Sequence, residues 1–366
     1  MALKILILSD AWQPQVNGVV RTYEHLGAAL RAMGHEVRVV GPLDFPMRFC
    51  LPFYREIHLA IWPGLSLPRL MDSYRPDIVH IATEGPIGVA GRNWCLRRKQ
   101  PFTTCYHTHF PDYVAKRVAF SGRRMTNWIR ARAWDYLRWF HHPAKSTYVA
   151  TASLEDALKD NGLSGPFRRL SRGVQTDLFH SVPRVQAQLP SGLVHPIALY
   201  VGRIAIEKNV TDFLDMDWPG SKVLAGTGPL FKTLRADYPA AHFVGVKSGH
   251  DLADLYRAAD VFVFPSRTDT FGMVLIEAMA CGLPIAAYNV PGPKDIVTAP
   301  ALGCLDNNLA AAAHCAMAHS DRTARAAYAA RTYNWNEVAR EFLEGDDLAF
   351  SKVKQAASPS PTHIQE

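Results

Sequence analysis

Phe264-Pro265-Ser266-Arg267-Thr268-Asp269-Thr270-Phe271-Gly272-Met273-Val274-Leu275-Ile276-Glu277-Ala278-Met279-Ala280-Cys281-Gly282-Leu283-Pro284 decides how the second half of the chain folds. The apolar run Val261 to Phe264 predicts a buried strand. The polar stretch after it predicts a loop, and the apolar stretch from about Gly272 a helix that Gly282 stops. A loop that hands over to a helix leaves backbone N–H groups without intrahelical acceptors, and the positive end of the helix dipole adds to them. Such a junction suits a phosphate or a sugar hydroxyl. Asp269 lies before the helix and Glu277 inside it. Carboxylates so placed accept hydrogen bonds from the hydroxyls of a ribose or a hexose. The plainer readings are a helix N-cap for Asp269 and a solvated first-turn glutamate for Glu277.

Working outward, Pro196–Gly202, Ser221–Leu224 and His242–Val244 repeat the strand pattern within the second half. In the first half the strands are Lys4–Leu8, His35–Val40, Asp77–Ile81, Phe102–His107 and Ser146–Ala150, and Gly18–Met33 has helical spacing. Strands that alternate with helices predict parallel sheets with right-handed crossovers. The expected class is therefore α/β, with two Rossmann-like doubly wound domains over 1–182 and 196–334. The proline-bearing, aperiodic stretch 183–195 reads as a linker. A helix over about 335–350 is expected to pack back on the first domain, and the polar stretch 351–366 reads as a disordered tail. Two such domains predict a cleft faced by the carboxyl ends of both sheets, where ligands of open α/β sheets bind.

The 366 residues suit two cores rather than one, and 48% apolar with 20% charged residues is an ordinary globular composition. No run approaches the ~18 apolar residues of a membrane span. The opening Met1-Ala2-Leu3-Lys4-Ile5-Leu6-Ile7-Leu8 reads as a buried first strand and not as a secretory leader. Cys50, Cys95, Cys105, Cys281, Cys304 and Cys315 have no paired spacing, so reduced, buried thiols in the cytoplasm are expected. The net charge of +7 favours nucleic acid, an anionic membrane surface or phosphorylated ligands without choosing among them.

The spacing of Asp269 and Glu277 resembles the carboxylate–seven residues–glutamate motif of retaining transferases of the GT-B architecture, specifically glycosyltransferase family 4. In that family the first carboxylate meets the donor hexose and the second the ribose of the nucleotide. The resemblance covers most of the chain. Val201-Gly202-Arg203-Ile204-Ala205-Ile206-Glu207-Lys208-Asn209 looks like the diphosphate-binding segment, with Arg203 and Lys208 as its two cations. Ala225-Gly226-Thr227-Gly228-Pro229-Leu230 resembles the glycine turn after the next strand, and Leu255–Ser266 the segment leading into the carboxylate loop. Pro14-Gln15-Val16-Asn17-Gly18-Val19-Val20-Arg21 looks like the loop that approaches the phosphates and the acceptor. Tyr106-His107-Thr108-His109-Phe110-Pro111 resembles the segment whose histidine, here His107, contacts the transferred sugar. Arg172-Gly173-Val174-Gln175-Thr176-Asp177-Leu178-Phe179 resembles the segment before the linker.

The resemblance thus implies a catalytic set of Arg203, Lys208, Asp269, Glu277 and His107. It implies a donor-binding set of Gly18, Gly202, Arg203, Lys208, Phe271, Gly272, Met273, Val274 and Glu277. Many members carry glutamate where this chain has Asp269. The Thr-Asp-Thr-Phe-Gly variant looks like members that glycosylate lipids, among them diacylglycerol sugar transferases, sulfoquinovosyl transferases and α-mannosyltransferases. Front-face transfer with retention is implied, the leaving phosphate accepting the acceptor's proton. Neither a metal nor a cofactor is expected, since Arg203, Lys208 and the helix N-terminus neutralise the departing diphosphate.

Between Lys116 and Lys145 the chain carries Arg117, Arg123, Arg124, Arg130, Arg132 and Arg138, interleaved with Phe120, Trp128, Trp134, Tyr136, Trp139 and Phe140. Cations and indoles on one amphipathic helix suit the headgroup boundary of an anionic bilayer. The plainer reading buries the rings and solvates the arginines. Arg123, Arg124, Trp128, Arg130, Arg132, Trp134, Arg138 and Trp139 are the expected membrane and acceptor residues, with no nucleic-acid partner. The expected function is transfer of a hexose or uronic acid from a nucleotide-diphosphate sugar, a UDP-sugar first, to a membrane lipid such as diacylglycerol. That places the chain in the cytoplasm, peripheral on the inner face of the cell membrane. The alternatives are a GDP-mannose-dependent α-mannosyltransferase, a nucleotide-sugar epimerase and a non-catalytic sugar-nucleotide binding protein.

Overall fold

The computed structural model describes residues 2–15, 17–51, 54–107, 123–182, 192–319 and 321–345. Val16, the Thr108–Pro111 part of the histidine segment, Lys116, Arg117, Phe120, most of the expected linker and the expected tail lie outside the described residues, as does the side chain of Arg123. Contacts divide the chain into two units: Met1–Ala150 with Glu155–Ser171 and Trp335–Glu366, and Thr151–Leu154 with Arg172–Asn334.

In the first unit β1 (Lys4–Leu8), α1 (Gly18–Ala32), β2 (Glu36–Val40), β3 (Arg48–Leu51), β4 (Tyr54–Ala60), α2 (Leu67–Tyr74) and β5 (Ile78–Ile81) come first. They are followed by α3 (Pro86–Arg98), β6 (Thr103–Tyr106), α4 (Arg123–His141), β7 (Ser146–Val149), α5 (Ala152–Asp160) and β8 (Phe167–Arg169). Six of these strands form a parallel sheet in the order β2-β1-β5-β6-β7-β8, while β3 and β4 pair as a separate antiparallel hairpin. All four residues of β5, β6 and β7 are buried. This is the signature of a parallel sheet covered on both faces. Ile5 and Ile7 turn to one face, toward Tyr23, Leu26 and Leu30 of α1 and toward Val338 and Phe342 of the Trp335–Glu344 helix. Leu6 and Leu8 turn to the other, toward Leu67, Met71, Ile87, Trp94 and Phe140. The Tyr148 hydroxyl donates to the Phe342 carbonyl at 2.8 Å and fixes that last helix on the sheet. α1 starts where the Asn17 side chain accepts from the N–H groups of Val19 and Val20. It ends before Gly34, whose φ of +88° only glycine tolerates readily.

The second unit repeats the plan with β9 (Ala198–Val201), α6 (Val210–Asp215), β10 (Lys222–Ala225), α7 (Phe231–Asp237), β11 (His242–Gly245), α8 (Gly249–Ala258) and β12 (Val261–Phe264). α9 (Met273–Ala280), β13 (Ile285–Ala287), α10 (Pro293–Ile296), β14 (Gly303–Leu305), α11 (Leu309–Met317) and α12 (Arg322–Thr332) complete it. Its sheet is parallel throughout in the order β11-β10-β9-β12-β13-β14. The order reverses between β1 and β5 in the first sheet and between β9 and β12 in the second. Crossovers diverge to opposite faces at such a point and open a crevice at the carboxyl strand ends. Among the described residues no helix is long and apolar enough to cross a membrane.

Two expectations are corrected. The boundary expected at 182 falls at Arg172. Buried Arg257 of α8 donates to the carbonyls of Leu178 and His180, at 2.8 and 3.1 Å, and the Val174 N–H donates to Tyr333, so this segment belongs to the second unit. The cysteines are not all reduced and buried. Cys304 and Cys315 form a disulfide, because α11 folds back over β14 and brings their Cα atoms to 5.9 Å, within bridging distance. Cys50 is exposed on the hairpin, and only Cys95, Cys105 and Cys281 are buried free thiols.

Arg325 of α12 is 2% exposed, and its guanidinium donates to the carbonyls of Ala301, Gly282 and His319, each at 2.8 Å. Burial pushes its pKa down to about 10, so the cation persists at neutral pH. Replacing one partner of such a cluster leaves buried carbonyls unsatisfied. Arg325→Met is therefore expected to cost about 3 kcal/mol of unfolding free energy, read by calorimetry as a lower Tm for the second unit; an unchanged Tm would contradict this role.

Candidate functional site

In the second unit the loops after β9, β10 and β12 meet at the carboxyl edge of the sheet. Gly202 (φ +156°) and Gly226 (φ +144°) stand at the ends of β9 and β10, and a Cβ on Gly226 would lie 1.9 Å from the Gly202 carbonyl oxygen. Only glycine fits there. The Gly202 N–H donates to Ala225, Ile204 to Thr227 and Gly226 to Gly245, so the ends of β9, β10 and β11 are bonded in series. Beneath them the Tyr200 hydroxyl donates to the Arg203 carbonyl at 2.7 Å, which fixes the path of the loop that carries Arg203.

The two strands that flank the switch point supply the central pair. Lys208, on the loop after β9, forms an ion pair with Asp269 on the loop after β12. Both side chains are about a quarter exposed, at 27% and 23%, so the pair is partly desolvated yet open to exchange with a ligand. Thr268 Oγ1 donates to the Glu207 carbonyl at 3.3 Å and ties the same loops together. The backbone caps α9 with Gly272 at φ +94°, and no side chain caps it, so Asp269 is not its N-cap. Met273 and Val274 open α9, where backbone N–H groups have no intrahelical acceptor.

Glu277 is not a solvated first-turn residue. It lies in the second turn of α9, is 4% exposed, and accepts the Tyr256 hydroxyl at 3.1 Å. Phe271 is also buried. Its ring packs edge-on against Tyr333 at 6.1 Å with the Arg172 guanidinium 5.9 Å away, so it braces the loop from behind. Tyr256 and Tyr200 are not legible as site residues in the sequence, because both sit on apolar runs that look like plain core.

In the first unit Gly18 opens α1 with free space around its α-carbon. His107 follows β6, and its Nε2 lies 2.9 Å from the Tyr23 hydroxyl, which is 2.8 Å from Nε2 of buried His80. Asp10 follows β1, across the switch point from β5. Its carboxylate accepts from the N–H groups of Ile87 at 2.9 Å and Gly88 at 3.3 Å, at the start of α3, and from the Thr83 hydroxyl at 3.0 Å. Burial outweighs these donors and pushes its pKa up to about 6.

Of the basic aromatic segment, Arg124, Trp128, Arg130 and Arg132 are exposed on α4, Trp128 at 61%. Trp134 is instead buried in the core. The Arg138 guanidinium bonds the Asn161 carbonyl and Asp135, and Trp139 stacks under the Arg92 guanidinium at 4.0 Å. The expected membrane set is thus split: the later half of α4 packs inward at positions 134, 137 and 140 while leaving Trp139 46% exposed, and the first half presents Arg124, Trp128, Arg130 and Arg132 outward.

The model described as "Glycosyltransferase Family 4" matches residues 16–178, and that described as "Glycosyl transferases group 1" matches 195–319. The chain is a glycosyltransferase built of these two domains. This glycosyltransferase is 29% identical over 327 residues to a GDP-mannose-dependent alpha-mannosyltransferase of Mycobacterium tuberculosis, with 83% of each chain covered. It is 25% identical over 320 residues to the alpha-monoglucosyldiacylglycerol synthase of Acholeplasma laidlawii, covering 77% of this chain and 79% of that one. A solved sucrose-phosphate synthase from Thermosynechococcus elongatus superposes with a TM-score of 0.71 at 24% identity, over 97% of this chain and 99% of that one. The two units are those of the GT-B fold.

The first unit of the glycosyltransferase holds two buried titrating groups with opposite effects on stability. His80 is held neutral, its pKa lowered by burial from 6.5 to about 3. Its contribution is full above pH 6.5 and is lost as pH falls toward 3. Asp10 is raised from 3.8 to about 6, so its contribution is full below 3.8 and is lost as pH rises through 6. Between about pH 4 and 6 the two slopes oppose each other. In Asp10→Asn the His80 slope is expected to emerge, so stability from denaturant titration falls more steeply with decreasing pH than in the parent protein. Parallel pH profiles would contradict the Asp10 assignment, and a variant whose stability does not fall between pH 6 and 4 would contradict that of His80.

Proposed function

We propose that this glycosyltransferase moves a hexosyl or uronosyl group from a nucleotide-diphosphate sugar to a membrane lipid, with retention of anomeric configuration. The Lys208–Asp269 ion pair, with buried Glu277 on the helix that follows the Asp269 loop, carries this reading. A cation and a carboxylate that neutralise each other across the switch point separate when a donor enters. Lys208, with Arg203, then faces the diphosphate, and Asp269 a hydroxyl of the sugar. Glu277, oriented by Tyr256, accepts from the ribose hydroxyls. As the glycosidic bond breaks, negative charge grows on the leaving phosphate. Preorganised cations and the N–H groups of Met273 and Val274 lower the barrier where that charge develops. The acceptor hydroxyl attacks from the same face, and its proton passes to the departing phosphate oxygen. Contact with the transferred sugar is the role the family resemblance gives His107. Charge neutralisation by side chains supports a route without a metal.

The lipid acceptor is supported by the outward first half of α4, where Arg124, Arg130 and Arg132 flank the exposed Trp128, a composition suited to an anionic headgroup layer. Diacylglycerol is the acceptor to test first, with a UDP-sugar as donor and the enzyme peripheral on the cytoplasmic membrane face. A second reading, a GDP-mannose donor, is favoured by likeness to the mycobacterial mannosyltransferase.

Purified enzyme, anionic vesicles containing diacylglycerol, and UDP-glucose, UDP-galactose, UDP-glucuronic acid and GDP-mannose supplied separately decide between them. Glycolipid with the donor's anomeric configuration is expected, at a rate that chelation by EDTA leaves unchanged. Lys208→Ala and Glu277→Ala are each expected to lower kcat/KM about 100- to 1,000-fold. Product from GDP-mannose alone selects the second reading, and donor binding without glycolipid from any donor overturns diacylglycerol as the acceptor.

A further inference from the structure

His107 ends a line of polar groups that runs into the core of the first unit. The Tyr23 hydroxyl lies 2.9 Å from His107 Nε2 and 2.8 Å from His80 Nε2, and His80 Nδ1 lies 2.8 Å from Thr103 Oγ1. Tyr23 and His80 are both fully buried, and the rings of Tyr23, Tyr148 and Phe342 surround His80 at 5.1 to 5.6 Å. In such surroundings a polar group needs its partners, since water does not replace them.

A phenol has one proton and bridges two imidazole nitrogens here, so it donates to one and accepts from the other. One Nε2 therefore carries hydrogen and the other a lone pair. When His107 Nε2–H donates to Tyr23, Tyr23 donates to His80 Nε2 and His80 Nδ1–H donates to Thr103. In the reverse set Thr103 donates to His80 Nδ1, His80 Nε2–H donates to Tyr23, and Tyr23 donates to His107. Both sets satisfy every group on the line, and neither requires a charged His80. The phenol also fixes the plane of the His107 ring, which it meets edge-on at 84°.

We infer that Tyr23 and His80 are positioning residues that act through His107, setting its ring orientation and the protonation of its Nε2. This rests on the reading above in which His107 faces the transferred sugar. A tyrosine that merely filled the core would lose little on conversion to phenylalanine, which keeps the ring.

The test compares Tyr23→Phe, His107→Ala and the double variant, in the assay with whichever donor reacts, and by ¹⁵N spectra of histidine-labelled full chain. The expected result is a kcat about 10- to 100-fold lower in Tyr23→Phe at unchanged donor KM, and a double variant no slower than His107→Ala. The ring nitrogens of both His107 and His80 are expected to shift in Tyr23→Phe. Unchanged ring-nitrogen signals, or losses that multiply in the double variant, would overturn the inference. The spectra do not depend on turnover, so failure of every donor would count against the proposed function while the spectra still decide the positioning role.

Discussion

The second sheet reverses its strand order between β9 and β12, and the chemistry of the unit depends on that reversal. Parallel strands are buried on both faces and offer a ligand nothing but their ends. At the reversal the two neighbouring connections leave to opposite sides, so the ends of β9 and β12 are the pair of loops not covered by a crossing helix. Lys208 rides on one and Asp269 on the other, and their ion pair spans the opening. The close approach of Gly226 to Gly202 is what lets the neighbouring β10 turn fit beside them.

The same constraint shapes the first unit with different residues. There Asp10 follows β1 and Thr83 follows β5, and the two bond across the reversal. The carboxylate is used inward, at the start of α3, and burial keeps it a weak acid. One edge of the reversal thus anchors a helix, while the nearby α1 and β6 bring Tyr23 and His107 together. In both units buried polar groups are arranged in lines with matched donors and acceptors: Tyr256 to Glu277, Tyr200 to the Arg203 carbonyl, and Tyr23 between two histidines. Tyrosine suits this task because its ring belongs to the core and its hydroxyl reaches a partner at the rim.

α4 illustrates how one helix divides two demands. Its second half buries Trp134, Leu137 and Phe140, and Arg138 is tied to the Asn161 carbonyl. Its first half presents Arg124, Trp128, Arg130 and Arg132 to the outside. A count of cations and indoles does not distinguish the halves, because side-chain direction depends on where the helix leaves the sheet.

The sequence by itself determined the α/β class, five strands of the first sheet and four of the second, the glycine turns and the placing of Asp269 and Glu277 on one strand–loop–helix segment. These are local patterns, legible because apolar runs, helical spacing and glycine act within a few residues of one another. The β3–β4 hairpin, β8, β13, β14 and the order within each sheet came from the structure. Only the tertiary structure decided that Lys208 and Asp269 bond, that Glu277 is buried under Tyr256, and that Asp10 and His80 are buried titrating groups. It also decided that Cys304 meets Cys315, and that Arg257 draws the segment from Arg172 onward into the second unit. Each of these joins residues from separate elements, brought together by crossovers and burial, and burial also sets the ionisation of a side chain that looks ordinary in sequence.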